Sequence, residues 1–282
     1  MTAITEPQPV EKEPRRKVIV RWIVITLLLL WLILPLVPLV IWSFAFRWPF
    51  PLLWPESWSL RAWELAFTGT TGVLAAFVDS VFIALVVTLI SVVISIPAGR
   101  GMGMYNFRGK RFIEFLLLAP TIVPPLAVIL GILVLFIRYG IADTYIGVIL
   151  VQLSPIMPYV VLVMAGVFSN YNPEFEEQAR SLGAGPIATF WYVTFPAIFP
   201  GLMVAGLFAF LISWSQYITV LLIGGGAIKT LPLVLFTLAG TNDTALTAAV
   251  SIIFVLPAVG ILLLSSRYVT GEDAAVGGIG GV

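Results

Sequence analysis

Residues 172–201 read NPEFEEQARSLGAGPIATFWYVTFPAIFPG, and this stretch places charges and helix-breaking residues between two long apolar segments. Asn172 can cap a helix by accepting a hydrogen bond from one of its free N–H groups. Pro173 suits the first helical position, where its missing N–H is not needed. Gly183 can end the helix, and Pro186 can start another. The sequence therefore predicts a short helix, a glycine break and a second short helix that runs towards Phe195-Pro196.

The first predicted helix is short and strongly charged. At ~1.5 Å per residue it would be a rod of about 15 Å. It carries Glu174, Glu176 and Glu177 near its positive N-terminal end, and Arg180 stands four residues after Glu176, where side chains on a helix meet. A helix this polar belongs in water. We therefore predict a loop outside the membrane that a partner protein grips.

The rest of the chain is too apolar for a soluble globular protein. Of its 282 residues, 60% are hydrophobic and 10% are charged, and the mean hydropathy is +1.07. A helix of about 20 apolar residues crosses a bilayer core of ~30 Å. We therefore predict an all-α polytopic membrane protein with six transmembrane helices. They are expected at residues 22–42, 80–96, 115–137, 145–168, 201–223 and 246–265.

Several of these spans are irregular by sequence. The second is short, so we expect that it starts nearer Val73 or that the bilayer thins around it. The first is expected to kink near Pro35 and Pro38. Prolines in the third and fourth spans either line a cavity with broken helices or form fixed packing kinks, and the sequence leaves both interpretations open. These prolines are Pro120, Pro124, Pro125, Pro155 and Pro158.

The lysines and arginines set the predicted orientation, because short cytoplasmic loops retain positive charge. With the N-terminus inside, most of the 15 basic residues fall on the cytoplasmic side, together with the glutamate-rich loop. The basic residues that fall outside are Arg47, Arg61, Arg138 and Lys229. Both termini of this multi-pass protein are therefore predicted to be cytoplasmic.

One membrane domain with two tails is the expected domain organisation. Residues 1–17 are polar and predicted to be a disordered cytoplasmic tail. Residues 18–270 are predicted to form the transmembrane domain, which includes the cytoplasmic loop 169–200. Residues 271–282 end in GGIGGV and are predicted to be a flexible tail.

The composition also excludes several kinds of chemistry. The chain has no cysteine and no histidine, so thiolate or imidazole metal sites and nucleophilic catalysis by these residues are unavailable. The carboxylates are scattered, and no pair has a spacing that suggests acid/base catalysis. We predict that the chain is not an enzyme and holds neither a metal nor a cofactor of its own.

The spacing within the charged loop resembles a known motif. The EAA loop in the inner-membrane permeases of binding-protein-dependent ABC importers has the form Glu-Ala-Ala, three residues, Gly, nine residues, Ile-x-Leu-Pro. Here the same spacing joins Glu177-Gln178-Ala179 to Gly183 and then to Val193-Thr194-Phe195-Pro196. Gln178 replaces the first alanine, and Val193 and Phe195 replace the isoleucine and leucine. The acid, the glycine and the proline keep their positions.

This resemblance implies a fold and a set of partners. The expected fold is that of type I importer permeases, which the molybdate, maltose and methionine importer permeases share. The expected partners are a second permease subunit, identical or different, two ATPase subunits that hold ATP and magnesium, an external substrate-binding protein and the lipid bilayer of the inner membrane. No nucleic acid is expected. The residues expected to couple to the ATPase are Glu176, Glu177, Ala179, Arg180, Gly183 and Pro196.

The residues around the motif also suggest a cargo. The segments SLGA and VTFPAIFPG resemble those of permeases in the spermidine/putrescine, ferric iron and sulfate branch more than those in the oligosaccharide branch. A polyamine is therefore the expected solute. Ferric iron, sulfate and sugar remain alternatives.

Polar residues inside the spans are candidates for the translocation pathway, because polar groups at bilayer depth face a pathway or another helix. Gln152 lies in the fourth predicted span. Ser213, Gln216 and Tyr217 are expected to share one face of the fifth span through their i, i+3 and i+4 spacing. Packing between helices is the alternative role. Asp79 is expected either at the outer interface or in the cavity.

The segment 224–246 is predicted to lie outside the membrane and to meet the external binding protein. Its glycines would let it project, which makes Gly225 and Lys229 candidate contacts. An ordinary connecting loop is the alternative.

Two other classes of protein compete with an importer permease. An ion-coupled secondary transporter would need charged residues near the bilayer midplane and, often, repeat symmetry, and neither is apparent in the sequence. A scaffold protein would leave the glutamate-rich loop unexplained.

Overall fold

The computed structural model describes residues 15–49 and 51–269, and most of this part of the chain is helical. A five-residue π-helical turn, Phe190–Thr194, joins α9 to α10. The short strands β1 (Ala45–Arg47) and β2 (Ser57–Trp58) pair antiparallel. The helices are α1 (Arg15–Ile33), α2 (Leu36–Phe44), α3 (Arg61–Phe67), α4 (Val73–Met104), α5 (Lys110–Ile122), α6 (Pro125–Tyr139), α7 (Tyr145–Ser169), α8 (Glu174–Ser181), α9 (Pro186–Thr189), α10 (Phe195–Trp214), α11 (Ile218–Ile223), α12 (Leu231–Ala239) and α13 (Thr244–Val269).

Within residues 15–49 and 51–269, five segments and one bent pair of helices are long and apolar enough to cross a membrane. Counting the pair as one span gives the six predicted from the sequence. The second span begins at Val73 and runs for 32 residues, so its apparent shortness is resolved by an earlier start. The segments are Ile19–Phe44, Val73–Met104, Lys110–Ile122 with Pro125–Tyr139, Tyr145–Ser169, Pro186–Trp214 and Thr244–Ser266.

The third span, predicted at residues 115–137 with helix-breaking prolines, is divided into two helices. It consists of α5 and α6, which meet at an angle of 99°. Val123 is extended, with φ −74° and ψ 139°, as expected for a residue that precedes a proline. Pro124 and Pro125 then start a new helix, because neither has an N–H group to continue the hydrogen bonds of α5.

The fifth span also differs from its prediction at residues 201–223. It begins much earlier, at Pro186, and passes without a break through Pro196, where the predicted second loop helix was expected to end. It stops at Trp214 and resumes as α11 at Ile218. The break contains no proline or glycine, so the sequence gives no signal for it and only the tertiary structure shows it.

The chain ends and the outer loops refine the predicted boundaries. Helix α1 begins at Arg15, so the last residues of the predicted disordered tail are helical. Residues 1–14 and the predicted tail 271–282 lie outside the described residues. The segment 224–246 is not an open loop, because α12 occupies its centre and Leu231 to Val234 are buried.

Helices α4, α7 and α10 pack together and hold the main apolar core. Helix α4 approaches α7 closely at Gly99 and Gly103. A Cβ on Gly99 would lie 2.5 Å from Cβ of Met164, and one on Gly103 would overlap the carbonyl oxygen of Ala165. We call Gly99 and Gly103 the glycine seam. It lets the two backbones touch, in the manner of small residues at other membrane-helix contacts.

Candidate functional site

The charged loop has the local structure that its sequence predicts. Oδ1 of Asn172 accepts a hydrogen bond from the N–H of Glu174 at 3.0 Å and caps the start of α8. Gly183 ends the helix with φ +89°. The N–H of Ala184 bonds the carbonyl of Ala179 at 3.0 Å, and that of Gly183 bonds Arg180 at 2.9 Å. This is a Schellman ending, which requires a left-handed residue and so favours glycine.

Glu176 does not face water but lies under α8, with only 3% of its surface exposed. Arg100 at the end of α4 donates two hydrogen bonds to its two carboxylate oxygens, both at 2.8 Å. Arg180 donates to Oε2 at 2.9 Å, and Thr194 Oγ1 donates to Oε1 at 2.8 Å. The sequence predicted the Glu176–Arg180 pair but missed Arg100 and Thr194, because both are distant in the chain.

These partners lower the pKa of the Glu176 carboxyl below its usual value. The largest effect is the hydrogen bonding from Arg100, and the Thr194 hydroxyl and the positive charges add to it, while burial opposes the shift. The carboxylate is therefore ionised at neutral pH. A buried ionised acid needs this set of donors, because an unpaired charge in such a place is very unfavourable.

Two backbone features bring the donors together. The glycine seam fixes the end of α4, which carries Arg100, against α7. The π-helical turn Phe190–Thr194 widens the helix and ends on Thr194, which is 1% exposed. Such π-helical turns often occur at functional sites.

The outer surface of α8 is very different from its buried side. Glu177 and Gln178 are exposed, and Ala179 is half-buried. Phe175 and Leu182 are also exposed, Leu182 to 90%. These two residues are seven apart and share one face of the helix. The sequence carries this signal, an apolar pair seven residues apart on a charged helix.

The predicted pathway residues separate into two groups. Ser213 is buried, and its hydroxyl donates to Oε1 of Gln152, which is also buried. This pair packs α7 against α10. Gln216 and Tyr217 instead lie in the break between α10 and α11, so Ser213 does not share a helical face with them. The break, invisible in the sequence, overturns the predicted arrangement.

Gln216 and Tyr217 line a cavity of about 440 Å³. Its lining is mostly apolar with several neutral polar groups, and none of the described residues that line it is charged. The ring of Tyr217 stacks on Phe236, with centroids 4.1 Å apart. Prolines from α5, α6 and α7 contribute to the wall. The lining residues are Pro120, Pro125, Leu126, Val128, Ile129, Ile132, Val151, Ser154, Pro155, Ser215, Gln216, Tyr217, Ile218, Thr219 and Phe236.

Comparison with known proteins places this geometry in a family. Residues 95–270 match the family model described as the binding-protein-dependent transport system inner membrane component. The match includes the end of α4, the charged loop and every later span. The chain belongs to this family. It is therefore a permease subunit of an ABC importer, a multi-pass protein of the inner membrane.

Relatives of this permease are named for different transported solutes. It is 26% identical over 235 residues to the molybdenum transport system permease protein of Mycobacterium bovis, covering 78% of this chain and 86% of that one. It is 24% identical over 212 residues to the spermidine/putrescine transport system permease protein of Haemophilus influenzae, covering 74% and 82%. It is 26% identical over 198 residues to the trehalose transport system permease protein of Mycobacterium tuberculosis, covering 68% and 72%.

A solved structure has the same fold as this permease. It is a chain from the crystal structure of a bacterial ABC transporter involved in the import of the acidic polysaccharide alginate. The TM-score is 0.71 at 16% identity, and the match covers 93% of the permease and 99% of that chain. The predicted fold class is thereby confirmed.

The remaining candidate residues lie at the opposite end of the permease from α8. Gly225 and Lys229 are exposed in the turn between α11 and α12. The N–H of Leu231, just after this turn, bonds Ser80 in the first turns of α4 at 2.7 Å. Asp79 beside it accepts a hydrogen bond from the Tyr145 hydroxyl at 2.9 Å and is not part of the cavity wall.

Proposed function

We propose that this permease forms half of a translocation pathway and that α8 transmits the motion of an ATPase to the membrane helices. The observation that carries the proposal is the exposed face of α8. A helix outside the membrane spans presents two exposed apolar side chains, Phe175 at 51% and Leu182 at 90% exposure, beside the exposed Glu177. Exposed apolar side chains with a polar rim mark a protein interface.

The proposed assembly follows the family. A second permease subunit, identical or different, completes the pathway, and two ATPase subunits hold ATP and magnesium. An external binding protein delivers the solute and meets Gly225 and Lys229, which lie at the opposite end of the molecule from α8. Both termini are cytoplasmic in this arrangement. When the ATPase subunits close on ATP, their grip on the two loops opens the cavity outward, and hydrolysis resets it.

The docking of Glu177 can be tested by reversing its charge. In the complete complex, Glu177→Lys should release the ATPase subunits on purification or abolish ATP-driven uptake, because a cation replaces an anion at the contact. Glu64→Lys makes the same charge change in α3, at the far end of the molecule, and should leave both properties unchanged. Normal assembly and uptake in the Glu177 variant would refute the docking role.

We further propose a polyamine as the cargo. Pro155 and Pro158 have no N–H group, so the carbonyls of Val151 and Ser154, two residues that line the cavity, lack their usual helical donors four residues later. The stacked rings of Tyr217 and Phe236 offer aromatic faces, to which ammonium groups are attracted. A cavity wall that offers hydrogen-bond acceptors and no positively charged residue among those described suits a solute rich in N–H donors.

Competition uptake tests this cargo directly. In proteoliposomes with the full complex and its binding protein, labelled spermidine should enter only with ATP, and excess putrescine should reduce the uptake. Trehalose, molybdate, sulfate and ferric iron should not. Uptake of one of these solutes in place of spermidine would refute the polyamine proposal. Uptake driven by an ion gradient without ATP would instead support the secondary-transporter alternative.

A further inference from the structure

Helix α8 has a single buried residue, and that residue is charged. Among the residues of α8, only Glu176 is buried. The apolar side chains Phe175 and Leu182 face away from the bundle. Helix α8 packs on α9 and the π-helical turn, which form the start of the fifth span. Its side-chain link to α4 is the contact between Glu176 and Arg100.

The geometry of this contact fixes direction as well as distance. Two parallel hydrogen bonds, each 2.8 Å long, join the guanidinium plane of Arg100 to the carboxylate plane of Glu176. A bidentate pair resists both sliding and rotation, whereas apolar surfaces can slide past each other. Thr194 holds the same carboxylate from the start of the fifth span at 2.8 Å.

Arg100 is also held firmly on its own side. It lies between Gly99 and Gly103, where α4 touches the backbone of α7. Its side chain is 30% exposed, compared with 57% for Arg180, the other arginine on Glu176. Arg180 belongs to α8 itself and moves with it, whereas Arg100 connects Glu176 to α4.

We propose that Arg100 is the positioning residue that joins α8 to the membrane bundle, through a rigid electrostatic joint formed by Arg100, Glu176 and Thr194. This proposal rests on the proposed function of α8, because the joint matters for transport only if an ATPase moves that helix. Displacement of α8 pulls on Arg100 and moves the α4–α7 pair as one body. Loss of the joint would leave the ATPase attached but uncoupled.

The chain has no native cysteine, so a distance across the joint can be measured with two introduced labels. Spin labels at Gly101→Cys on α4 and Ser181→Cys on α8 lie on either side of it. A Cβ at position 101 meets nothing within 4 Å. The labelled permease should give a narrow distance distribution. Arg100→Gln should broaden it, and the matched Arg180→Gln should not.

Coupling is measured on the complete transporter with the same variants. Arg100→Gln should retain its ATPase subunits and hydrolyse ATP, while the solute moved per ATP falls about tenfold. A change of this size is typical when a residue that couples two sites is replaced. Arg100→Lys keeps the charge but loses the bidentate bond. Its solute moved per ATP should therefore lie between the values of the wild type and Arg100→Gln. A merely structural role would lower thermal stability without changing solute moved per ATP in the folded fraction.

Two results would overturn the joint. One is a narrow distance distribution in both Arg100→Gln and Glu176→Gln, and the other is unchanged solute per ATP in these variants. If Arg100→Gln fails to fold, Arg100→Lys supplies both measurements. The distance is measured without ATPase, so it is independent of docking. If Arg100→Gln broadens the distance distribution while Glu177→Lys shows normal uptake, the proposed function is refuted and the joint stands.

Discussion

Glu176 and Glu177 are neighbours in the sequence with opposite environments. Successive side chains on a helix point about 100° apart, so one carboxylate faces the bundle while the other faces water. Glu176 is satisfied by donors from Arg100, Arg180 and Thr194. Glu177 has an exposed side chain and is free to meet a partner. Adjacent residues of one type therefore have separate roles.

The lowered pKa of Glu176 gives the joint a defined pH dependence. A depressed pKa contributes stability that is present above the unfolded value, about 4.3 for glutamate, and lost as pH falls through the folded value. The width of the spin-label distance distribution should therefore stay constant from pH 8 to 5. It should increase only in more acidic solution. A change near neutral pH, or an identical acid response in Glu176→Gln, would contradict this assignment.

Gly183 is required by conformation and not by space. Its φ is +89°, and nothing lies within 4 Å of a Cβ added there. Gly183→Val should therefore cost about 1–3 kcal/mol of strain at the end of α8, lose ATPase binding and leave the membrane spans folded. Gly185→Val is the matched control, because φ is −73° at that position. ATPase pull-down and thermal unfolding compare the two, and equal behaviour would show that the left-handed turn is dispensable.

Gln216 and Ser213 separate cavity effects from packing effects. Gln216→Leu should change substrate-stimulated uptake with little effect on thermal stability, because its side chain lines the cavity. Ser213→Ala should do the opposite, since it leaves the buried Gln152 amide oxygen without its donor, at a cost of about 1–3 kcal/mol. Uptake assays and thermal unfolding report each. Unchanged uptake in the first variant would remove Gln216 from the pathway.

At the scale of elements, breaks in helices and close helix contacts place the site. The 99° bend between α5 and α6 and the gap after Trp214 both open onto the cavity. Trp214 is held beside that gap by Phe254, whose carbonyl accepts from its indole N–H at 3.0 Å. At the other end of α4, the glycine seam holds Arg100 against α7. Function in this permease therefore depends on where helices stop and touch.

The glycine seam should not tolerate even one methyl group. Gly99→Ala would force its Cβ to 2.5 Å from Met164, which pushes α4 from α7 at a cost of about 1–3 kcal/mol and displaces Arg100. Gly101→Ala has open space and should be neutral or stabilising, by up to about 1 kcal/mol from helix propensity. Thermal unfolding and uptake compare these variants. An active, stable Gly99→Ala would mean that the helices separate at no cost.

At the scale of the whole molecule, α8 and the turn at Lys229 lie at opposite ends of α4, with Arg100 beside one and Ser80 near the other. A cysteine at position 229 should therefore react with a membrane-impermeant reagent from outside the cell, and one at position 181 only from the cytoplasm. The absence of native cysteines makes both signals specific. Reaction of both positions from the same side would contradict the six-span arrangement, and exchanged sides would reverse the predicted orientation.

The sequence by itself determined the class of protein, the number of spans and the approximate positions of all but the fifth, and the local structure of the charged loop. These features depend on composition, hydrophobic length and the hydrogen-bonding needs of nearby residues such as Asn172 and Gly183. Only the tertiary structure decided that Glu176 is buried against Arg100 and that Gln216, not Ser213, lines the cavity. The reason is that a side chain's environment depends on elements far away in the chain. The energy that breaks a helix at Ser215 or buries a carboxylate comes from packing between them.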